Sequence, residues 1–153
     1  MVGGETFSKN KGNRLQLIST HKVMTQHLGY HGNLFGGQML AWLDEAGVAF
    51  ASEACGTPTI VTIHMSEVHF QKPVRPSQVI KIYGEIEKMG TSSVVLNLEA
   101  RRHSVYNGTQ KVVCSTKMTF VRIDGDGEAV PISEHIRERF KKEQDTYNNK
   151  ENK

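Results

Sequence analysis

A chain of 153 residues has the length of one domain, and a 37% share of apolar and aromatic residues is enough to close a core without staples. A net charge of +3, scattered rather than gathered in one patch, is too mild to argue for nucleic-acid binding. Two cysteines with no C-x-x-C spacing exclude a zinc ribbon or a redox pair. The first residues lack an apolar signal core. The longest uncharged stretch, Val23 to Leu43, holds His27, His31 and several glycines and reads poorly as a membrane span. The expectation is a soluble cytoplasmic protein.

In chain order, residues 1–12 read as a flexible, polar start and Leu15–Ser19 as a first strand. The longest helical signal runs from Gly36 to Ala54, stopped by Gly56 and Pro58. Beyond it the period changes to two. Ile60 to Phe70 alternates through Val61, Ile63 and Met65, then shifts phase to Val68 and Phe70, which predicts a bulge near Ser66-Glu67. Val79–Glu87 and Ser93–Arg101 alternate cleanly, and so does Val112–Ile123. Asn107-Gly108 marks a hairpin between the last two strands. A short amphipathic helix follows at Ser133–Glu143, anchored by Ile136 and Phe140, and 144–153 reads as a flexible polar tail. One domain over 13–143 results. Successive strands without intervening helices imply an antiparallel sheet with the long helix buried against it, an α+β fold.

The long helix carries one residue out of place. On a wheel, Gln38, Glu45 and Ser52 share the single polar line, so Glu45 is explained by solvent. Asp44 sits about 100° away, among Gly37, Leu40, Val48 and Ala51. An unpaired carboxylate there costs several kcal/mol, on the order of a buried charge's desolvation. It needs a structural partner, or it lines a pocket as a catalytic group. At the helix start, Gly36-Gly37 leaves N–H groups unshielded, which suits either an oxyanion or close backbone packing. Asp44 lies about 10 Å along the axis from those donors, long for a single attack within one helix. The histidines show no metal-ligand spacing, and no metal site is expected.

The stretch GNLFGGQMLAWLDEAG resembles the acyl-CoA thioesterases of the hotdog fold, both the short single-domain bacterial enzymes and the tandem-domain animal hydrolases. VTIHMSEVHFQKPVRPSQVI and EKMGTSSVVLNLEAR are similar to the second strand and the G-T-[ST]-S strand of that family. The resemblance implies a sheet wrapped around the central helix. It implies subunits paired through one continuous sheet, in a dimer or a hexamer built as a trimer of dimers, with active sites between chains. It maps the catalytic aspartate onto Asp44, the loop asparagine onto Asn33 and the oxyanion donors onto Gly36 and Gly37. Many relatives place histidine where Phe35 stands, so no imidazole role carries over.

Thioester hydrolysis is the activity so implied. The Gly37 N–H would hold the oxyanion. Asp44 would act as general base or nucleophile, and Asn33 would orient water or carboxylate. For coenzyme A the resemblance implies Lys72, Thr91, Ser92 and Ser93 at the entry, with Thr62 toward the pantetheine. Coenzyme A enters as part of substrate and product, so no separate cofactor is expected, nor a nucleic-acid partner. Two other readings remain at this stage: a hotdog module that senses acyl-CoA or nucleotide without turnover, and a thioester dehydratase, which normally wants a histidine beside the carboxylate.

Overall fold

Four runs of alternating apolar residues and one more polar run form the strands of one antiparallel sheet, and the long apolar helix packs on one face of it. The computed structural model describes residues 15–153, so the flexible start expected at 1–12 lies outside the described residues. The strands are β1 (Gln16–Lys22), β2 (Ile60–Phe70), β3 (Val79–Met89), β4 (Ser93–His103) and β5 (Gln110–Arg122). Helix α1 spans Gly36–Cys55 and α2 spans Glu134–Glu151, with a single 3₁₀ turn at Thr25–His27. The sheet order is β1-β3-β4-β5-β2.

That order follows a crossover the strand pattern alone does not show. Strand β2 lies at one edge beside β5, while β3 lies three places away beside β1. Residues 71–78 make the passage, pinned by Leu34 N–H to Val74 O at 2.7 Å and Ser77 N–H to Val23 O at 2.8 Å. Val74 is buried beneath the loop. The bulge expected in β2 is present: its register against β5 shifts between Ser66 and His69, and Glu67 takes φ 53°.

The buried face of α1 centres on Leu43, Gly47 and Ala51, and it packs on Ile82, Leu96, Leu98, Met118 and Phe120 of the sheet. Gly47 is the point of closest approach. A β-carbon there would lie 2.8 Å from the Phe120 ring and 3.0 Å from Leu98 Cδ1. Gly56 ends the helix in the left-handed region, at φ 63°. Trp42 lies between two imidazoles, stacked on His21 with centroids 4.5 Å apart and edge-on to His27 at 4.9 Å.

Helix α2 is longer than its apolar pattern suggests. Residues 144–151, which read as polar tail, continue the helix. Ile136, Phe140, Gln144 and Tyr147 keep one face, and Gln144 donates to Glu87 O at 3.4 Å. A polar residue and a tyrosine extend that face, so a purely apolar periodicity ends too early. The outer face of the sheet is also not simply wet. Glu99 is buried, pairs with Arg101, and Arg101 lies over the Tyr83 ring at 4.3 Å.

Both cysteines are free and buried. Burial pushes the Cys55 thiol up, and pushes Cys114 up to about 11. Thiolate is the reacting form. A disulfide reagent at pH 8 should therefore find the native thiols silent for minutes and both reactive once the chain is denatured. Fast reaction of either thiol in the native protein would contradict this packing.

Candidate active site

Asp44 finds its partner on the edge strand. Thr62 Oγ1 donates to Asp44 Oδ1 at 2.6 Å. The helix holds Asp44 half-buried while the neighbouring Glu45 is exposed, as the wheel requires. The carboxylate is thus oriented by a hydroxyl, with Oδ2 left for other work. Thr62 was expected toward the pantetheine; the register of β2 against β5, which pairs Thr62 with Phe120, sets its hydroxyl on the Asp44 carboxylate.

The helix start is a separate centre. The N-cap residue Phe35 has extended backbone and gives no side-chain cap, so the first-turn N–H groups of Gly36 and Gly37 have no partner inside the helix. The Phe35 ring lies against Gly37, where a β-carbon would come within 2.5 Å of it. The loop before it is tight. Gly29 N–H bonds Asn33 O at 2.8 Å, Phe35 N–H bonds His27 O at 2.9 Å, and Gly32 takes φ 81°. Asn33 and Gly36 thereby line a cavity of about 400 Å³ with Met39, Phe70, Lys72 and Val113.

Thr91, Ser92 and Ser93 lie elsewhere. They form the β3–β4 turn, where their carbonyls accept N–H bonds from Ile132, Arg122 and Gly90 at 2.8, 2.9 and 2.8 Å. Lys72 lies beyond the other end of the sheet, past Phe70, and β4 alone separates the ends by about 33 Å. One chain therefore brings together Asn33, Gly36 and Lys72, with Gly37 beside them, and holds Asp44 and Thr62 as another group. It does not bring the Thr91–Ser93 run to Lys72.

What lies between the two groups is an unpaired edge. Among the described residues, strand β2 closes the sheet with no strand on its outer side. Ile63 and Phe70 on it, and Phe35 beside it, are 59%, 56% and 55% exposed. Large apolar side chains along an open strand edge mark a surface made for another chain. Phe70 was not singled out by sequence. Its signal was the phase shift of β2, which turns the last residues of the strand toward the helix start. Among the described residues no cluster of His, Cys, Asp and Glu suits a metal ion, and no helix is long and apolar enough to cross a membrane.

Known proteins resemble this chain in sequence and fold. The sequence pattern of the thioesterase superfamily matches residues 31–114, more than half of the chain. YkhA of Bacillus subtilis (strain 168), an uncharacterized acyl-CoA thioester hydrolase, is 26% identical over 117 residues, covering 76% of this chain and 67% of its own. The structure of Cj0915, a hexameric hotdog fold thioesterase of Campylobacter jejuni, is 31% identical with a TM-score of 0.68, over 80% of this chain and 93% of that one. HI0827, a hexameric broad specificity acyl-coenzyme A thioesterase, is 26% identical with a TM-score of 0.73, over 82% of this chain and 86% of that one. The helix in its antiparallel sheet, the matched pattern and these likenesses agree: the chain belongs to the thioesterase superfamily and has the hotdog fold.

Proposed function

We propose that this chain is an acyl-CoA thioester hydrolase whose active site is shared by two copies. The carrying observation is the Asp44–Thr62 pair standing at an open strand edge, about 10 Å along α1 from the bare N–H groups of Gly36 and Gly37. Antiparallel pairing of β2 with its copy in a second chain reverses direction across the joint. It brings Asp44 of one protomer to Gly37 of its partner and closes the distance. It also covers the exposed Ile63, Phe35 and Phe70. The hexameric relatives support such self-association. The dimer is the minimum the shared site requires, and three such dimers would make a hexamer.

In this arrangement the thioester carbonyl points at the Gly37 N–H, which stabilises the oxyanion by a few kcal/mol, about what a single preorganised donor supplies. Asp44 Oδ2 takes the proton of an attacking water, or attacks the carbonyl itself to form a mixed anhydride that water then hydrolyses; on either route the carbon–sulfur bond breaks, the coenzyme A thiolate leaves and water supplies its proton. Thr62 fixes the other carboxylate oxygen. Asn33, at the cavity mouth, orients the water, and Lys72 faces the entering coenzyme A. The acyl group becomes the free acid. Buried free thiols suit the reducing cytoplasm, which we assign as the compartment.

Thiol release from acyl-CoAs of increasing chain length tests the reading. Turnover on at least part of the series is expected; binding without turnover across all of it would make the chain a sensor. Thr62→Val removes the orienting hydroxyl and keeps the shape. It should lower kcat about tenfold, the worth of one charge-assisted hydrogen bond, with little change in KM. A change confined to KM would return Thr62 to the pantetheine.

A further inference from the structure

Three cations converge behind the cavity that holds Asn33 and Gly36. Arg102 and Lys111 are direct cross-strand partners on β4 and β5. Like charges placed so destabilise a sheet. Lys72 arrives from the crossover loop, where its charge acts on Lys111. Arg102 Nη1 donates to Pro73 O at 3.3 Å, which fixes the loop against the strands. The nearby Lys72 charge, then desolvation, with Arg102 adding to both, hold Lys111 below the usual lysine range. No salt bridge among the described residues relieves the three, whereas the adjacent Arg101, and Lys117 farther along β5, do pair with glutamates.

The cluster stands between two cavities. Lys72 and Pro73 line the one at the helix start. Arg102 and Lys111 line a second, of about 510 Å³, on the far side of the same loop, with Gln110, His103 and Ser77. Its rim carries Tyr106, which is 97% exposed on the β4–β5 hairpin. An anion-hungry wall, a free aromatic face and room for a ring system are what a nucleotide requires.

We infer that the Lys72–Arg102–Lys111 cluster and the hairpin cavity form the seat of the phosphorylated adenine nucleotide of coenzyme A. The cations take its phosphates and Tyr106 offers a face to the base. This rests on the thioesterase reading, and it assigns Arg102, Lys111 and Tyr106 to substrate binding. The nucleotide is held on the same chain whose Gly37 receives the carbonyl, while Asp44 comes from the partner.

The test compares an acyl-CoA with the acyl-pantetheine of the same chain length. Lys111→Gln and Arg102→Gln should each raise KM for acyl-CoA about tenfold or more, as loss of a charge-assisted phosphate contact does. The same variants should show no such increase with acyl-pantetheine, which lacks the nucleotide. Lys141→Gln, on exposed α2, serves as the control. Without ligand, Lys111→Gln should melt at or above the native temperature, because a repulsion is removed, and added coenzyme A should stabilise it less than the native chain. Equal KM changes on both substrates, or none, would overturn the seat. If the native chain turned over neither substrate, the hydrolase reading would fall. Coenzyme A binding by calorimetry to native and Lys111→Gln chains would then decide the seat by itself: weaker binding by the variant supports it, and equal binding overturns it.

Discussion

Replacing Asp44 with alanine should lower kcat on acyl-CoA by about two to four orders of magnitude, the range expected for loss of a general base or nucleophile. The variant should fold. Asp44 is half-buried, and Thr62, which bonds it, offers a neutral hydroxyl on an exposed stretch of edge strand, so truncation leaves no buried charge behind. Substrate binding should persist, because the cavity at the helix start and the cations of Lys72, Arg102 and Lys111 do not involve this carboxylate. Asp44→Asn keeps the shape and the bond to Thr62 but not the basicity, and should fall as far. Asparagine activity near native would show that the group only positions others.

A charge placed on the open edge of β2 should have an effect of similar size without touching any reacting group. Ile63→Lys puts an ammonium where the account seats a second copy of the strand, and lysine on an edge opposes pairing. Ile63 is exposed in the single chain, so the fold does not need it. The expected result is a smaller assembly that no longer pairs through β2, with an unchanged far-ultraviolet spectrum and activity reduced about a hundredfold or more, since neither half-site can complete the other. A monomer that hydrolyses acyl-CoA at the native rate would refute the shared site. Mass by light scattering and rate by thiol release, taken on one preparation, decide it.

Much of the frame was legible in the sequence, because it follows from local periodicity. The 3.6-residue pattern with Gly56 placed α1 to within a residue, and the phase shift in β2 located its bulge at Glu67. The displacement of Asp44 from the polar line set by Glu45 singled it out before any fold was known. What stayed hidden depended on distant parts of the chain. The position of β2 at an edge comes from the 71–78 crossover, whose anchors at Leu34 and Val23 lie far off in sequence. The pairing of Arg102 with Lys111 needs the hairpin register. Thr62 could be assigned to Asp44 only once β2 was set beside α1. The last turns of α2 were missed because Gln144 and Tyr147 hold them by polar reach rather than apolar spacing.

The shared site is tested most directly by mixing two inactive chains. Gly37→Val brings a side chain up against the exposed Phe35 ring and crowds the carbonyl seat, while Asp44→Ala removes the carboxylate. Each alone should be nearly inactive. Co-expressed in equal amounts, half of the dimers are mixed, and each mixed dimer has one site with both native groups. The rate should recover to about a quarter of native. A mixture as inactive as its components would place Asp44 and Gly37 in one chain's own site and contradict the account.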